Sequence, residues 1–320
     1  MAASGETLTS VASDDAIEID GHIIEITSPD KVMVPATKAL TKRDLVRYYA
    51  EMAAWSLPYL RGRPLTMQRF PEGIADKGFY QQQIPANFPP WIHRVELNKK
   101  DGVVTHVVCD DAATLAYLAS QGCITPHVWL SLAKHRQYPD RLIFDLDPPD
   151  GNFESVRLVA TVVRELLGEL GLSSSAMTTG SRGLHLLTAL DGRANFTTTR
   201  SFAKDVAAVL ERRHPDLVTT AAHLAMRDNK LYVDVSRNSY AQSSVAPYSI
   251  RAIEGAPVAT PLSWSELEDR SLNARSYHAG NIKGRLQSLG DPWKFEVLQT
   301  QPFSLGDARA KLDALIDHRA

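Results

Sequence analysis

The chain has 320 residues, 44% of them apolar and 22% charged, the proportions of an ordinary soluble globular protein with enough chain for a sizeable core. A formal charge of −2 excludes a globally basic nucleic-acid binder and leaves only a local basic groove open; two cysteines, Cys109 and Cys123, exclude a disulfide framework and lack paired zinc-ligand spacing. No apolar run approaches membrane-spanning length and residues 1–15 lack a signal-peptide pattern, so a cytoplasmic protein with a flexible leader over residues 1–16 is expected.

Residues 17–20 and 22–27 flank Asp20-Gly21, a pair suited to a tight hairpin. A helix is expected over 42–57, where Thr41 and Asp44 form a capping-box pattern and Leu45, Tyr48, Tyr49, Met52 and Ala53 share one apolar face. Residues 103–108 read as a strand and 111–121 as a short helix closed by Gly122. Further on, 141–147 reads as a strand and 153–170 as a periodic helix ended by Gly171. Residues 176–179 and 184–190 read as strands joined through Gly180-Ser181-Arg182-Gly183. A helix over 199–213, a strand over 230–236 and a helix near 305–316 capped by Ser304 complete the pattern. Strands and helices mix without strict βαβ alternation, so the fold class is α+β.

Phe144-Asp145-Leu146-Asp147-Pro148 ends a strand. Side chains alternate across a strand, so Asp145 and Asp147 share one face while Leu142, Phe144 and Leu146 enter the core. Two carboxylates facing the same way repel unless a cation or a shared proton intervenes, and hard oxygen ligands suit Mg²⁺ or Mn²⁺. On 230–236, Tyr232, Asp234 and Ser236 share a face, and Asp234 would complete a two-metal site for in-line displacement at a phosphate. Taken alone, D-x-D is a common pattern that more often caps a helix or lines an exposed strand end. The turn Thr179-Gly180-Ser181-Arg182-Gly183 adds glycines that free backbone N–H groups for an anion, two hydroxyls and a cation, with His185 beside the metal face.

Four ordered segments, Phe-Asp-Leu-Asp-Pro at 144–148, Gly-Ser-Arg-Gly-Leu-His at 180–185, Val-Asp-Val-Ser-Arg-Asn at 233–238 and Ala-Pro-Tyr-Ser-Ile-Arg at 246–251, stand in the order and spacing of a known family. The chain resembles, from about residue 20 to 292, the polymerase domain of bacterial DNA ligase D, in the archaeo-eukaryotic primase superfamily. The resemblance implies a primase-like fold of two packed α/β modules with a mixed catalytic sheet. Residues 17–111 would form a template and 5′-phosphate module, 112–300 the catalytic primase-polymerase module, and 301–320 a C-terminal helix.

By the same resemblance, Asp145, Asp147 and Asp234 are the catalytic metal ligands for a pair of Mn²⁺ or Mg²⁺ ions. His127, Thr179, Ser181, Arg182, His185, Arg237, Arg251 and Arg69 match nucleotide-binding positions. Lys31 and Lys42 match lysines that hold the 5′-phosphate of a downstream strand, and Phe79-Tyr80 matches an aromatic pair stacked on template bases. Without the family, His127 would read as a buried, satisfied histidine and the two lysines as solvated surface charges. Departures from the family pattern are Thr179 for serine, Arg182 for lysine, Arg237 for glutamine and Gln68 for a lysine, and the segment between Trp129 and Arg141 is shorter.

The implied activity is template-directed addition of nucleoside triphosphates at short gaps or aligned DNA ends in repair, with ribonucleotides favoured. A stand-alone monomer is expected, acting on DNA breaks that carry a 5′-phosphate beside a separate ligase and an end-binding protein, with no membrane partner. Two other readings use the same residues: a 5′-phosphate-binding module that tethers a ligase, and a metal-dependent nuclease.

Overall fold

In the computed structural model, which describes residues 9–13, 15–99 and 102–317, the chain divides into two compact units. The first runs to Trp129 and takes back residues 245–259 and 278–287; the second holds 130–244, 260–277 and the C-terminal stretch from Ser288.

The first unit opens with an antiparallel sheet of β1 (Thr9–Ser13), β2 (Ala16–Ile19) and β3 (His22–Glu25). Ile19 pairs with His22 across the two-residue turn, and Asp20 and Gly21 both take positive φ (50° and 76°), as such a turn requires. A two-stranded ladder, β4 (Val32–Val34) and β5 (Leu40–Thr41), leads into α1 (Lys42–Leu60). The capping box forms as the sequence predicts: Thr41 Oγ1 accepts from the Asp44 N–H at 3.2 Å, and Asp44 accepts the Thr41 N–H at 3.0 Å. The helix runs three residues beyond its expected end, through Pro58, because Tyr59 and Leu60 are buried and anchor the final turn.

Next come β6 (Leu65–Arg69), β7 (Phe79–Gln81), the hairpin β8 (Arg94–Lys99) and β9 (Gly102–Val107), α2 (Ala112–Ser120) and β10 (Cys123–Trp129). β6 lies between β10 and β7, antiparallel to both. Asp111 caps α2 by accepting the Thr114 N–H at 2.6 Å, and α2 packs on α1.

The second unit is built on a six-stranded mixed sheet. Its strands are β11 (Arg141–Asp147), β12 (Ser175–Thr178), β13 (Leu184–Ala189), β14 (Val218–Thr219), β15 (Leu231–Asp234) and the edge strand Thr260–Leu262. The order is β14-β15-β11-β13-β12 and then Thr260–Leu262, antiparallel except for the β14–β15 pair. Two long helices, α3 (Phe153–Glu169) and α4 (Phe196–Arg213), cover one face. Leu142, Phe144 and Leu146 of β11 and Leu184 and Leu186 of β13 bury against Val156, Val163 and Leu167 of α3 and Phe202 and Val206 of α4. At roughly 25 cal/mol per Å² of apolar surface removed from water, this layer is the main source of the unit's stability. It also fixes the register, because a slip of one residue would turn the aspartates of β11 into the core.

Candidate active site

The sheet face away from α3 and α4 carries the chemistry. Across the antiparallel ladders, Asp145 stands opposite Asp234 on β15 and opposite His185 on β13, so Asp234, Asp145 and His185 form one row over three adjacent strands. Asp147 shares the face one pleat along, opposite Tyr232. Like charges directly opposite each other in a ladder are destabilising, so three carboxylates in this register need counter-charge.

Cationic side chains answer Asp147 and Asp145, and neutral hydrogen-bond donors answer Asp234. Asp147 meets Arg227 Nη1 at 3.1 Å and Arg182 Nη2 at 3.6 Å. Asp145 Oδ2 lies 3.5 Å from His185 Nε2 and 3.9 Å from Arg237 Nε. Asp234 accepts the Ser236 N–H at 2.7 Å, the Ser236 hydroxyl at 3.0 Å and the Tyr232 hydroxyl at 3.3 Å. Burial, with Asp234 alongside, holds the Tyr232 phenol above its ordinary range, while the Arg227 guanidinium 4.3 Å from its ring opposes that rise.

Ser236 departs from its expected place. The strand ends at Asp234, and Val235 turns the chain (φ −110°, ψ 5°) into a short helical turn, so Ser236 folds back to hold Asp234 instead of extending its face. The buried Asn238 then takes over the pairing that the strand gives up. Its Oδ1 accepts the Ile143 N–H at 2.9 Å and its Nδ2 donates to the Ile143 carbonyl at 2.7 Å. The asparagine amide thus imitates a strand residue and fixes the chain beyond Asp234 against β11.

The turn between β12 and β13 is also more closed than its glycines suggest. The Thr179 hydroxyl accepts the N–H groups of Ser181 (3.3 Å) and Gly183 (3.2 Å) and donates to the Gly183 carbonyl (3.1 Å). Two of the expected anion-facing N–H groups and the Thr179 hydroxyl are therefore engaged within the turn, since a threonine Oγ can both donate and accept. Gly180 has φ +65°, and a Cβ at Gly183 would sit 2.0 Å from the Leu146 carbonyl oxygen, so no side chain fits there. The exposed Arg182 remains as the turn's charge, 3.6 Å from Asp147, and the Ser181 carbonyl is held by Arg275 Nε at 2.9 Å.

The first unit gathers charge of the opposite sign. Lys42 is buried at the start of α1, and its Nζ donates to the Thr27 carbonyl and hydroxyl at 2.9 and 3.1 Å. Burial, with Lys31 next and Arg69 also contributing, pushes its pKa below the ordinary lysine range. Lys31 Nζ is held by Glu72 at 2.7 Å and by the Pro71 carbonyl at 3.3 Å. Arg69 thus falls within the lysines' electrostatic neighbourhood; it donates to Gln121 and Gln81 and lies over the Phe79 and Phe88 rings at 5.8 and 5.9 Å.

Phe79 and Tyr80 are adjacent on β7 and so point to opposite faces. Phe79 lies by Arg69, and Tyr80 by His127, with ring centroids 5.5 Å apart. Both rings are exposed, 45% and 61%, so neither is a core residue. His127 is half-buried on β10, and Gln68 pairs with Tyr80. Arg251 follows a segment tied to the same strand, where Thr125 Oγ1 donates to the Ile250 carbonyl at 2.7 Å.

Oxygen donors on Asp145, Asp147 and Asp234 are the right kind for Mg²⁺ or Mn²⁺. Their common sheet face and unfavourable mutual charge fit such an ion. Among the described residues, however, no group of three or more Asp, Glu, His or Cys side chains is gathered closely enough to enclose one, because each carboxylate is drawn to its own partner. Three residues of this site, Arg227, Ser236 as a brace and Asn238, were not singled out by sequence reasoning. Arg227 follows no periodic pattern and becomes recognisable only through its distance to Asp147.

Comparison with known proteins places the chain in a family. The family model of the LigD primase-polymerase domain matches residues 41–293. The multifunctional non-homologous end joining DNA repair protein LigD of Mycobacterium tuberculosis is 37% identical over 263 residues, which are 79% of this chain and 34% of that protein. The bifunctional LigD of Bacillus subtilis is 30% identical over 272 residues, 84% of this chain and 43% of its own. The chain therefore spans well under half the length of these curated relatives. The polymerase domain of Mycobacterium tuberculosis ligase D, solved in complex with DNA, superposes with a TM-score of 0.80 at 33% identity and covers 87% of this chain and 99% of that one. By fold, by motif order and by sequence, the chain belongs to the LigD primase-polymerase domain family, and it is a nucleotidyltransferase of the polymerase class.

Proposed function

We propose that this chain extends a DNA primer strand by template-directed nucleotide addition at short gaps or aligned ends, with ribonucleotides favoured. The observation that carries this reading is the row Asp234, Asp145 and His185 beside Asp147, flanked by the Arg182 turn. Asp145, Asp147 and Asp234 would hold Mg²⁺ or Mn²⁺, which when bound would lower the pKa of the primer 3′-hydroxyl and offset charge at the α-phosphate. Arg182 and Ser181 face the incoming triphosphate as charge and hydroxyl donor, Thr179 keeps the turn rigid, and His185 and Arg237 stand beside Asp145. His127 and Arg251 we assign to nucleotide phosphates.

Lys31 and Lys42 would hold the 5′-phosphate across the gap, with Arg69 and Phe79 alongside and Tyr80 stacking on a template base. The ribonucleotide preference rests on the family resemblance. Action in end joining rests on the names of the longer relatives, and a separate ligase and an end-binding protein as partners rest on the family resemblance. Among the described residues no helix is long and apolar enough to cross a membrane, and we place the protein in the cytoplasm on nucleoid DNA.

One observation favours a second reading, a DNA-end binding module that tethers a ligase: the carboxylates are each engaged by arginines or Ser236 instead of being gathered. A single assay separates the readings. The protein is incubated with Mn²⁺, ribo- or deoxyribonucleotides and a one-nucleotide-gapped duplex, with and without the 5′-phosphate, and products are sized. Longer strands, more of them with the phosphate, support the polymerase. Phosphate-dependent binding without extension supports the tether, and shortened strands would support a nuclease.

A further inference from the structure

On the solvent side of α4, Arg200 and Lys204 lie one turn apart and both are exposed. Neither has an ion-pair partner among the described residues, whereas the neighbouring Asp205 is bound to Arg309. The two cations line two adjoining cavities of about 310 and 330 Å³. The first reaches the outer edge of β15 at Asp234, where β14 has already ended opposite Tyr232. The second continues to Tyr240, whose ring meets Phe196 edge-on at 5.8 Å. A basic cleft thus leads away from the carboxylate row with Asp234 as its only acidic lining residue.

The order of the strands gives this cleft a direction. Arg182, His185 and the turn after β12 lie on the β13 side of Asp145 and Asp147, whereas Asp234 and the cleft lie on the β15 side. An in-line displacement places the attacking oxygen opposite the leaving pyrophosphate. With the triphosphate on the β13 side, the 3′-hydroxyl must approach from the β15 side. The geometry points to the cleft as the track of the primer strand, with Arg200 and Lys204 on the phosphates upstream of its 3′ end and the Tyr240 region beside a sugar or base. The sugar–phosphate backbone is the polyanion this cleft suits, since two exposed cations without an ion-pair partner among the described residues gain from phosphate and from counterion release. The inference rests on the polymerase reading for its direction and on charge and shape for its occupant.

The test compares wild-type protein with the Arg200→Ala/Lys204→Ala variant; both side chains are exposed, so the fold is retained. Fluorescence anisotropy with a labelled one-nucleotide-gapped duplex is measured across a salt series. Single-nucleotide extension is then measured with primers of decreasing upstream length. Expected results are about tenfold weaker binding, a salt slope of log K shallower by about two, a raised KM for primer and an unchanged KM for nucleotide. The difference from wild type should vanish once the upstream primer is too short to reach α4. Equal affinity and equal salt slope would overturn the track, as would an effect confined to the KM for nucleotide. If wild-type protein binds with the predicted slope difference but never extends, the cleft stands as a strand-binding site and the polymerase reading falls.

Discussion

The two units carry charge clusters of opposite sign built on the same principle. In the first, Lys42 is pushed toward its neutral form by burial and by Lys31, and Glu72 offsets the pair from 2.7 Å away. In the second, Asp145 and Asp234 face each other across a ladder while Arg227 and Arg182 offset Asp147, and Arg237 offsets Asp145, from 3.1 to 3.9 Å. Each cluster places like charges together, which costs stability, and each tempers that cost with a countercharge that a ligand of the same sign can replace. The basic cluster awaits an anion and the acidic one a cation.

Breaking the acidic cluster should have the largest effect. Asp234→Ala should lower single-nucleotide extension on the order of a thousandfold, the scale of several kcal/mol of charge stabilisation, while phosphate-dependent DNA binding is kept. Loss of both together would show that the clusters are not separable. Next is Asn238→Ala, which strips the buried Ile143 N–H and carbonyl of their partners. About 2–4 kcal/mol of stability should go, read from denaturant midpoints, since each unsatisfied buried group costs about 1–3 kcal/mol. A variant as stable as wild type would mean that the strand reforms past Asp234 without the asparagine.

Removing both lysines of the basic cluster should abolish the preference for a 5′-phosphorylated gap, a change of tenfold or more in relative Kd at about 1.5–3 kcal/mol per charged hydrogen bond, with extension on unphosphorylated DNA kept. The same cluster gives a pH prediction. The Lys42 ammonium has a lowered pKa in the free protein, and a bound phosphate favours its charged form. Phosphate-dependent affinity is therefore full below the free-protein pKa of Lys42 and falls as pH rises from there to the higher pKa of the complex, at lower pH than for a Lys42→Arg protein. Coincident loss in the two proteins would remove Lys42 from the site. The smallest effect is expected from Glu72→Gln, an exposed partner of Lys31, which should tighten phosphate binding a few-fold at low salt and hardly at all at high salt.

Much of this was legible in the sequence where one local rule dominates. Asp20-Gly21 must take positive φ twice, Thr41 and Asp44 bracket a helix start, and the alternation through Asp145 and Asp147 tells which face is wet. β10 gave no such signal because it is buried almost throughout and contains Pro126, so neither alternation nor propensity marks it as a strand. β6 and β7 are short and take their meaning from pairing, which also sends Phe79 and Tyr80 to opposite faces. At the site, residue type announced the carboxylates, whereas the braces did not show. Ser236 reads as a strand residue until Val235 turns, and Arg227 lies far from Asp147 in sequence and 3.1 Å from it in space.

The most direct test of the central claim is the rate of Mn²⁺-dependent extension by an Asp145→Ala protein on a gapped, 5′-phosphorylated duplex that it binds as tightly as wild type does. The account predicts full binding with no extension at any Mn²⁺ concentration. Extension at the wild-type rate would contradict it, leaving the facing aspartates of β11 and β15 without a catalytic role.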